Sequence, residues 1–335
     1  MSNGGRSVEE EPWSRTQRVV DVHGQTRFGK VIQLREGQFV GDRPYCPHGC
    51  TSPVHRHGRY QRYPNLYLTV IFHFIMKVVI LCGGKGARLR EETEHRPKPM
   101  VPIGNRPILW HIMKTYAHYG HKEFILCLGY KGEIIKDYFR NYLWNTCDAT
   151  LILGRNPEVH FHNRHTEEDW SVTLADTGED SMTAYRIKQV EQYIPKGEAF
   201  LLTYGDGLAT IDIEASILEH KTAGKICTIS AVHPAGRFGA LRLEKDGTIH
   251  DFSEKPQFED AFVNGGYMVC EHRIFNYLHN DPGMMLERQP MKNLVRDGEL
   301  HSYRHDGFWQ PMDTYQEAIY LNKLWSDGKA PWKVW

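Results

Sequence analysis

The sequence lacks an excess of charge of either sign. Its 335 residues contain 41 Lys and Arg and 41 Asp and Glu, so the formal net charge at pH 7 is zero. A chain without a field of one sign has no general attraction for nucleic acid or for an anionic membrane surface. We therefore expect neither partner, and any phosphate chemistry must come from a local cluster of cations.

Cysteines and long apolar runs are also scarce. The seven cysteines do not form a dense disulfide framework, which favours free thiols in a reducing compartment. The longest apolar stretch, 66–81, is interrupted by His73 and Lys77 and is shorter than the roughly 20 residues that a transmembrane helix needs. No basic segment followed by an apolar one opens the chain, so we expect no secretory signal. Together these absences favour the cytoplasm.

The composition changes near residue 75. Segment 1–75 is rich in Arg, His, Gly and Pro with little apolar periodicity, and we expect an appendage that is disordered or results from an upstream-extended start. Within it, fragment 46–57 weakly resembles half of a zinc ribbon, although its spacing departs from the usual pairs of cysteines. The four candidate zinc ligands there are Cys46, Cys50, His55 and His57.

From Met76 onward, short apolar strands alternate with amphipathic helices. We predict strands at 77–81, 124–128, 150–153 and 200–203, and helices at 108–119, 134–143, 185–193 and 213–222. Such alternation predicts one α/β domain over 76–335, with a Rossmann-like, mostly parallel, doubly wound sheet. After residue 225 the pattern becomes strand-rich, with a hairpin around 245–248 and a final helix over 314–325, which predicts a smaller strand-rich portion.

A glycine-rich loop follows the first strand of this domain. The segment LCGGKGARLR, residues 81–90, contains three glycines that let backbone amides approach phosphate oxygens. Its lysine and arginine, with Lys98 in the following RPKPM, supply positive charge. A dinucleotide site would require G-x-G-x-x-G and a later acidic residue. The spacing here differs, so the loop favours a nucleoside triphosphate over NAD.

Six motifs resemble those of the sugar-phosphate nucleotidylyltransferases. They are LCGGKGARL, RPKPM, FLLTYGDG, FSEKP, VNGGYMV and GFWQPMDT. Further segments, including ILWHIMK, LADTGEDSMT and HPAGRFGAL, are similar to the branch that uses CTP and glucose 1-phosphate. The resemblance covers 76–335 and implies formation of CDP-glucose and pyrophosphate. The product would enter CDP-linked deoxysugar synthesis for surface polysaccharide.

The resemblance also implies roles for individual residues. The expected catalytic residues are Arg88, Lys98, Asp206 and Asp313, of which Asp206 and Asp313 would hold Mg²⁺. Carboxylate oxygens are ligands that this ion prefers. The expected nucleotide-binding residues are Leu81, Cys82, Gly83, Gly84, Lys85, Gly86, Ala87, Arg88, Lys98, Ser181, Arg186 and Gly205. The expected sugar-phosphate-binding residues are Gly239, Glu254, Lys255, Asn264 and Gly265.

Some of these residues have simpler explanations, and two depart from the family. Taken alone, Asp206 between two glycines suits a turn, and Asp313 before a helix suits a cap. The family usually has Ala and Thr where this chain has Cys82 and Ala87. Loss of the threonine hydroxyl removes one phosphate hydrogen bond, on the order of 1 kcal/mol, so we expect weakened activity. We expect Cys82 to be a buried residue at the strand end and not a nucleophile.

Other interpretations stay open at this stage. One alternative is the transfer of a uridylyl or thymidylyl group to the same sugar phosphate, since a few pocket contacts decide base choice. A noncatalytic nucleotide-sugar sensor with an N-terminal zinc module is a third interpretation. The polar insertion 155–170 contains His160, His162 and His165, which we expect to be solvated and not a metal site. By resemblance this insertion reaches a neighbouring subunit or covers the nucleotide, which favours a homo-oligomer.

Overall fold

The computed structural model describes residues 75–162, 169–234, 240–243, 249–253 and 262–335, together with strands β1 (Arg15–Val20) and β2 (Thr26–Val31). The chain divides into two compact units, Met1–Ile75 and Met76–Trp335. In the first unit, β1 and β2 pair as antiparallel strands. The candidate zinc ligands in fragment 46–57 and the predicted turn at 245–248 lie outside the described residues.

The described part of the second unit alternates strands and helices. The strands are β3 (Val78–Leu81), β4 (Pro102–Ile103), β5 (Arg106–Pro107), β6 (Glu123–Leu128), β7 (Ala149–Ile152), β8 (Glu158–Phe161), β9 (Ser171–Asp176), β10 (Phe200–Tyr204), β11 (Gly207–Ala209), β12 (Cys227–Val232), β13 (Ala240–Leu243), β14 (Ile249–Ser253), β15 (Val263–Cys270), β16 (Leu300–His305) and β17 (Trp309–Pro311). The α-helices are α1 (Arg90–Thr93), α2 (Ile108–His118), α3 (Gly132–Arg140), α4 (Tyr142–Thr146), α5 (Thr183–Gln189), α6 (Ile213–Ala223), α7 (Gln289–Arg296) and α8 (Tyr315–Ser326).

A seven-stranded sheet lies at the centre of the described second unit, in the order β16-β12-β15-β10-β3-β6-β9. Its neighbouring strands are parallel except where β15 pairs antiparallel with both β10 and β12. Both faces are covered, as the run of four buried residues in β3 requires. Val78 and Ile80 pack in one core cluster with α2, whereas Val79 and Leu81 pack in another with α5. The predicted α/β fold with a mostly parallel sheet is confirmed.

Several local predictions are confirmed and others are corrected. Gly224 ends α6 in the left-handed region at φ 62°, and its N–H donates to the His220 carbonyl at 3.0 Å. The helix predicted over 134–143 is instead two helices that meet at Asn141. The polar insertion predicted at 155–170 contains β8, a strand that was not predicted and that pairs with β7 in a two-stranded ribbon. Within the ranges given above, no helix has the length and apolar character needed to cross a membrane.

Candidate active site

The candidate site lies where β3 and β10 end side by side. These strands are parallel, with Tyr204 opposite Leu81, and the Gly205 N–H donates to the Leu81 carbonyl at 3.0 Å. A β-carbon on Gly205 would stand 2.9 Å from the Leu81 oxygen and 2.9 Å from Cγ of Pro99. Only glycine therefore permits this close approach. The carboxyl ends of parallel strands are the usual location of ligands in α/β sheets.

A second strand pair brings Asp206 and Asp313 together. Strands β11 and β17 pair antiparallel, with Gly207 opposite Pro311, and the Met312 N–H donates to the Asp206 carbonyl at 2.8 Å. Asp313 then directly precedes α8, whose N-cap is Thr314. The Glu317 carboxylate accepts from the N–H groups of Asp313 at 2.7 Å and Thr314 at 2.8 Å. This capping box holds the backbone of Asp313 in place.

The Lys98 ammonium lies between these two carboxylates. Its Nζ stands 2.7 Å from Asp206 Oδ2 and 2.6 Å from Asp313 Oδ1, and its side chain is only 11% exposed. The Arg88 guanidinium binds both oxygens of Asp313, at 2.9 and 3.0 Å. Burial acts to lower the pKa of Lys98, but the attraction of the two aspartates outweighs it and raises that pKa. The four side chains form a compact, charge-balanced cluster.

This cluster borders a cavity of about 340 Å³. The cavity is lined by Leu81, Cys82, Gly83, Gly84, Gly86, Ala87, Arg88, Lys98, Pro99, Ser181, Met182, Thr183, Arg186, Tyr204, Gly205, Asp206 and Asp313. Every residue predicted to bind nucleotide is in this set except Lys85, which is exposed and pairs with Asp180 at 2.6 Å. Of the predicted sugar-phosphate residues, Gly239, Glu254 and Lys255 lie outside the described residues.

Arg186 lies in the cavity wall, and backbone groups occupy its donors. Its guanidinium donates to the carbonyls of Gly83, Leu128, Gly178 and Glu179 and to Oγ1 of Thr177, at 2.7 to 3.1 Å. A β-carbon on Gly83 would stand 2.2 Å from Arg186 Nη1. Burial lowers the pKa of Arg186. Arg186 thus joins the glycine-rich loop to the turn before Ser181, and its predicted nucleotide contact stays a prediction.

Several functional positions were missed by the sequence patterns. Pro99, Met182, Thr183 and Tyr204 line the cavity although no role was predicted for them. Pro99 and Tyr204 lie inside the motifs RPKPM and FLLTYGDG, so the motifs themselves were the signal. Met182 and Thr183 are the last two residues of the motif LADTGEDSMT, which was the signal for them. Cys82 is fully buried, and burial raises the pKa of its thiol well above the ordinary value, so it is a neutral packing residue.

The carboxylates of Asp206 and Asp313 could together hold a divalent metal ion. Two hard oxygen donors already hold one cation, the Lys98 ammonium, between them. In the portion of the chain with described coordinates, no three His, Cys, Asp or Glu side chains converge as a metal site. His160 instead pairs with Glu158, and His162 contacts Thr150 Oγ1 at 2.8 Å. His165 lies outside the described residues.

Comparison with known proteins gives a consistent result. Residues 77–327 match the nucleotidyl transferase family. The chain is 51% identical over 261 residues to the glucose-1-phosphate cytidylyltransferase of Salmonella typhi. The matched segment spans 78% of this chain and 100% of that relative. It is 48% identical over 260 residues to the probable glucose-1-phosphate cytidylyltransferase of Bacillus subtilis, again spanning 78% of this chain and 100% of the relative.

Solved structures share the fold. A UDP-glucose pyrophosphorylase complexed with UDP-glucose superposes with a TM-score of 0.55 at 16% identity, over 76% of this chain and 100% of that one. A putative glucose-1-phosphate thymidylyltransferase from Bacillus anthracis superposes with a TM-score of 0.54 at 17% identity, over 74% and 94%. At such low identities these likenesses describe the fold alone. The family match over 77–327 and the half-identical, full-length relatives establish more: this chain belongs to the nucleotidyl transferase family and is an enzyme.

Proposed function

We propose that the chain is a glucose-1-phosphate cytidylyltransferase, which converts CTP and α-D-glucose 1-phosphate into CDP-glucose and pyrophosphate. The observation that carries the proposal is the placement of Lys98, Asp206 and Asp313 beside a glycine-lined cavity at the ends of two parallel strands. That arrangement occurs in a chain about half identical to proteins of this name along their whole length.

The proposed reaction needs cations more than it needs a base. A phosphate oxygen of glucose 1-phosphate attacks the α-phosphorus of CTP, the bond from that phosphorus to the bridging oxygen breaks, and pyrophosphate leaves. The nucleophile is already ionised near neutral pH, so no proton has to be removed. The barrier lies in bringing two anions together and stabilising the charge that develops. Arg88 and Lys98 supply positive charge there, and the amides of the glycine-rich loop approach the phosphates.

We propose Mg²⁺ as the metal and Asp206 with Asp313 as its ligands. When bound, such an ion screens the phosphate charge and polarises the reacting phosphoryl group. The support for this assignment is that both carboxylates already hold an ammonium cation and that Glu317 fixes the backbone of Asp313. A metal ion on the two carboxylates would leave the Lys98 ammonium available for the nucleotide phosphates.

Sugar-phosphate binding is proposed for Gly239, Glu254, Lys255, Asn264 and Gly265. Among these, Gly265 is held by a hydrogen bond from Trp309 Nε1 to its carbonyl, 2.8 Å long. Trp309 belongs to β17, the strand that leads to Asp313. The contact therefore connects the proposed sugar segment with the proposed metal site.

The remaining proposals concern the oligomeric state of the enzyme, its location and the pathway that its product enters. We propose a homo-oligomer, because the β7 and β8 ribbon exposes Leu151, Ile152, Val159 and the adjacent Leu153, which is 88% exposed. We propose a cytoplasmic location, because the seven cysteines do not form a dense disulfide framework. We also propose that the product enters CDP-linked sugar synthesis for surface polysaccharide.

Pyrophosphate release by the full-length chain tests the central proposal. Glucose 1-phosphate and Mg²⁺ are supplied with CTP, UTP or dTTP in turn, and the sugar nucleotide is identified by mass spectrometry. We expect CDP-glucose with CTP and at least tenfold slower release with the others. Faster release with UTP or dTTP would reassign the nucleotide, and no release with any of the three would reject the proposal. Asp313→Asn serves as the inactive control.

A further inference from the structure

A carboxylate outside the predicted site is hydrogen-bonded to the end of β10. The Tyr204 hydroxyl donates to Glu287 Oε1 at 2.5 Å, and Thr183 Oγ1 donates to Glu287 Oε2 at 2.7 Å. Hydrogen bonds to an ionised acceptor are short and about twice as strong as neutral ones. Glu287 precedes α7, far in sequence from both of its partners, and no motif includes it.

On one side this network holds the wall of the cavity. Thr183 and Met182 line the cavity next to Ser181, which is predicted to contact the nucleotide. The loop that carries Glu287 forms several hydrogen bonds with this wall. Met182 N–H donates to the Pro282 carbonyl at 2.8 Å, Ala184 N–H donates to the Met284 carbonyl at 3.1 Å, and Leu286 N–H donates to Thr183 Oγ1 at 2.8 Å. Glu287 adds the side-chain contact that links this wall to β10.

On the other side the network reaches the proposed sugar segment. The Tyr204 ring lies against Gly266, where a β-carbon would stand 2.6 Å from Cδ2 of the ring and φ is 83°. Asn264 Oδ1 accepts from the Gly266 N–H at 2.9 Å. The oxygen of the Asn264 amide is therefore turned to the backbone of Gly266, the residue against which the Tyr204 ring lies.

We propose that Tyr204 and Glu287 are positioning residues, which keep the sugar segment and the nucleotide wall at a fixed position relative to each other. The Tyr204 ring supports Gly266, whose N–H holds the Asn264 amide, and Glu287 ties Tyr204 to Thr183. The inference rests on the proposed function, because it assigns Asn264 to sugar phosphate and Ser181 with its neighbours to nucleotide. The position of Tyr204, two residues before Asp206, sets both segments relative to the catalytic cluster.

Four substitutions separate the two halves of this network. Tyr204→Phe keeps the ring on Gly266 but removes the hydroxyl contact with Glu287 that fixes the ring. Thr183→Val removes the contacts of the nucleotide wall with Glu287 and with the Leu286 N–H. Glu287→Ala removes both links, whereas Glu287→Gln can restore them, since its amide oxygen accepts from Tyr204 and its NH₂ donates to Thr183. Tyr277→Phe is the matched control, because it removes a tyrosine to carboxylate bond, Tyr277 to Asp297 at 3.1 Å, on a different element.

The assay measures KM for each substrate from initial rates of pyrophosphate release by the full chain. Loss of one such hydrogen bond is expected to raise KM about fivefold. Tyr204→Phe should raise KM for glucose 1-phosphate alone, and Thr183→Val should raise KM for CTP alone. Glu287→Ala should raise both KM values. Glu287→Gln and Tyr277→Phe should keep both values within about twofold of wild type.

Two results would overturn the inference. One is a Tyr204→Phe enzyme with both KM values unchanged. The other is an equal loss of kcat in all four variants with melting temperatures lowered together, which is the pattern of general destabilisation. A wild-type chain that releases no pyrophosphate would overturn the proposed function, and the inference with it, so the two failures are distinguishable.

Discussion

Acidification should destabilise the folded chain through His111, a buried and neutral histidine in α2. His111 is fully buried, and its Nε2–H donates to the Ile103 carbonyl at 3.0 Å. Its Nδ1 accepts from Trp332 Nε1–H at 3.4 Å, so both ring nitrogens are used by the neutral form. Burial, with smaller contributions from Arg106 and Lys333, lowers the pKa of His111 from 6.5 to about 4.

The lowered pKa of His111 determines how stability changes with pH. Because the folded pKa lies below the unfolded one, the unfolded chain binds the proton first as the pH falls. The stabilising contribution is therefore complete above pH 6.5 and is lost as the pH falls towards 4. Linkage gives a loss of about 2 kcal/mol at pH 5 relative to pH 8. At roughly 2–4 °C per kcal/mol, this corresponds to a fall in Tm of about 4–8 °C.

Thermal unfolding of three chains at pH 8 and pH 5 measures the effect. His111→Gln should lose less Tm between the two pH values than wild type does, by about 4–8 °C, although it is less stable at pH 8. His118→Gln, at an exposed position of the same helix, should lose as much as wild type. Equal losses in His111→Gln and wild type would refute the reasoning. If His111→Gln does not fold, NMR titration of the wild-type ring decides, since a midpoint near 6.5 contradicts a pKa of about 4.

Three further predictions concern the site and its supports. Asp206→Asn should lower kcat at least a hundredfold with Tm within about 2 °C of wild type, and near-normal turnover at saturating Mg²⁺ would contradict its role. Gly205→Ala should cost about 1–3 kcal/mol in the free energy of unfolding, because its β-carbon meets Leu81 and Pro99 at 2.9 Å; Gly84→Ala, with nothing within 4 Å, should cost much less. Thr314→Ala should remove about 1 kcal/mol of helix capping, measured as a lower Tm, and should raise the Mg²⁺ requirement, whereas an unchanged requirement would show that Asp313 needs no support from the cap.

Sequence patterns predicted the elements that local rules specify. The apolar runs of β3 and β10, the periodicity of α2 and the glycine after α6 each report a short-range requirement. The break at Asn141 was missed because apolar spacing continues through it. Helix α7 was missed because it is short and half polar, and packing decides its conformation.

The assembly of the site required tertiary information. Motif resemblance grouped Asp206 with Asp313, but the reason for their proximity is the pairing of β11 with β17, which no local pattern encodes. The position of Lys98 between them follows from how the RPKPM turn packs, and not from its spacing. The contact of Glu287 with Tyr204 joins segments outside each other's motifs, so sequence alone could not reveal it.

The β11 and β17 ribbon also determines when the cluster of Lys98, Asp206 and Asp313 can assemble. Chains emerge from the ribosome in order, so Asp206 and Lys98 are synthesised well before Trp309 to Asp313. Until that later strand pairs with β11, Lys98 lacks its second carboxylate and Asp206 lacks the N–H of Met312. A partly made or C-terminally clipped chain can thus contain an intact glycine-rich loop and still lack the assembled cluster. With the roles proposed for these residues, catalytic activity reports that the chain has been made and folded through β17.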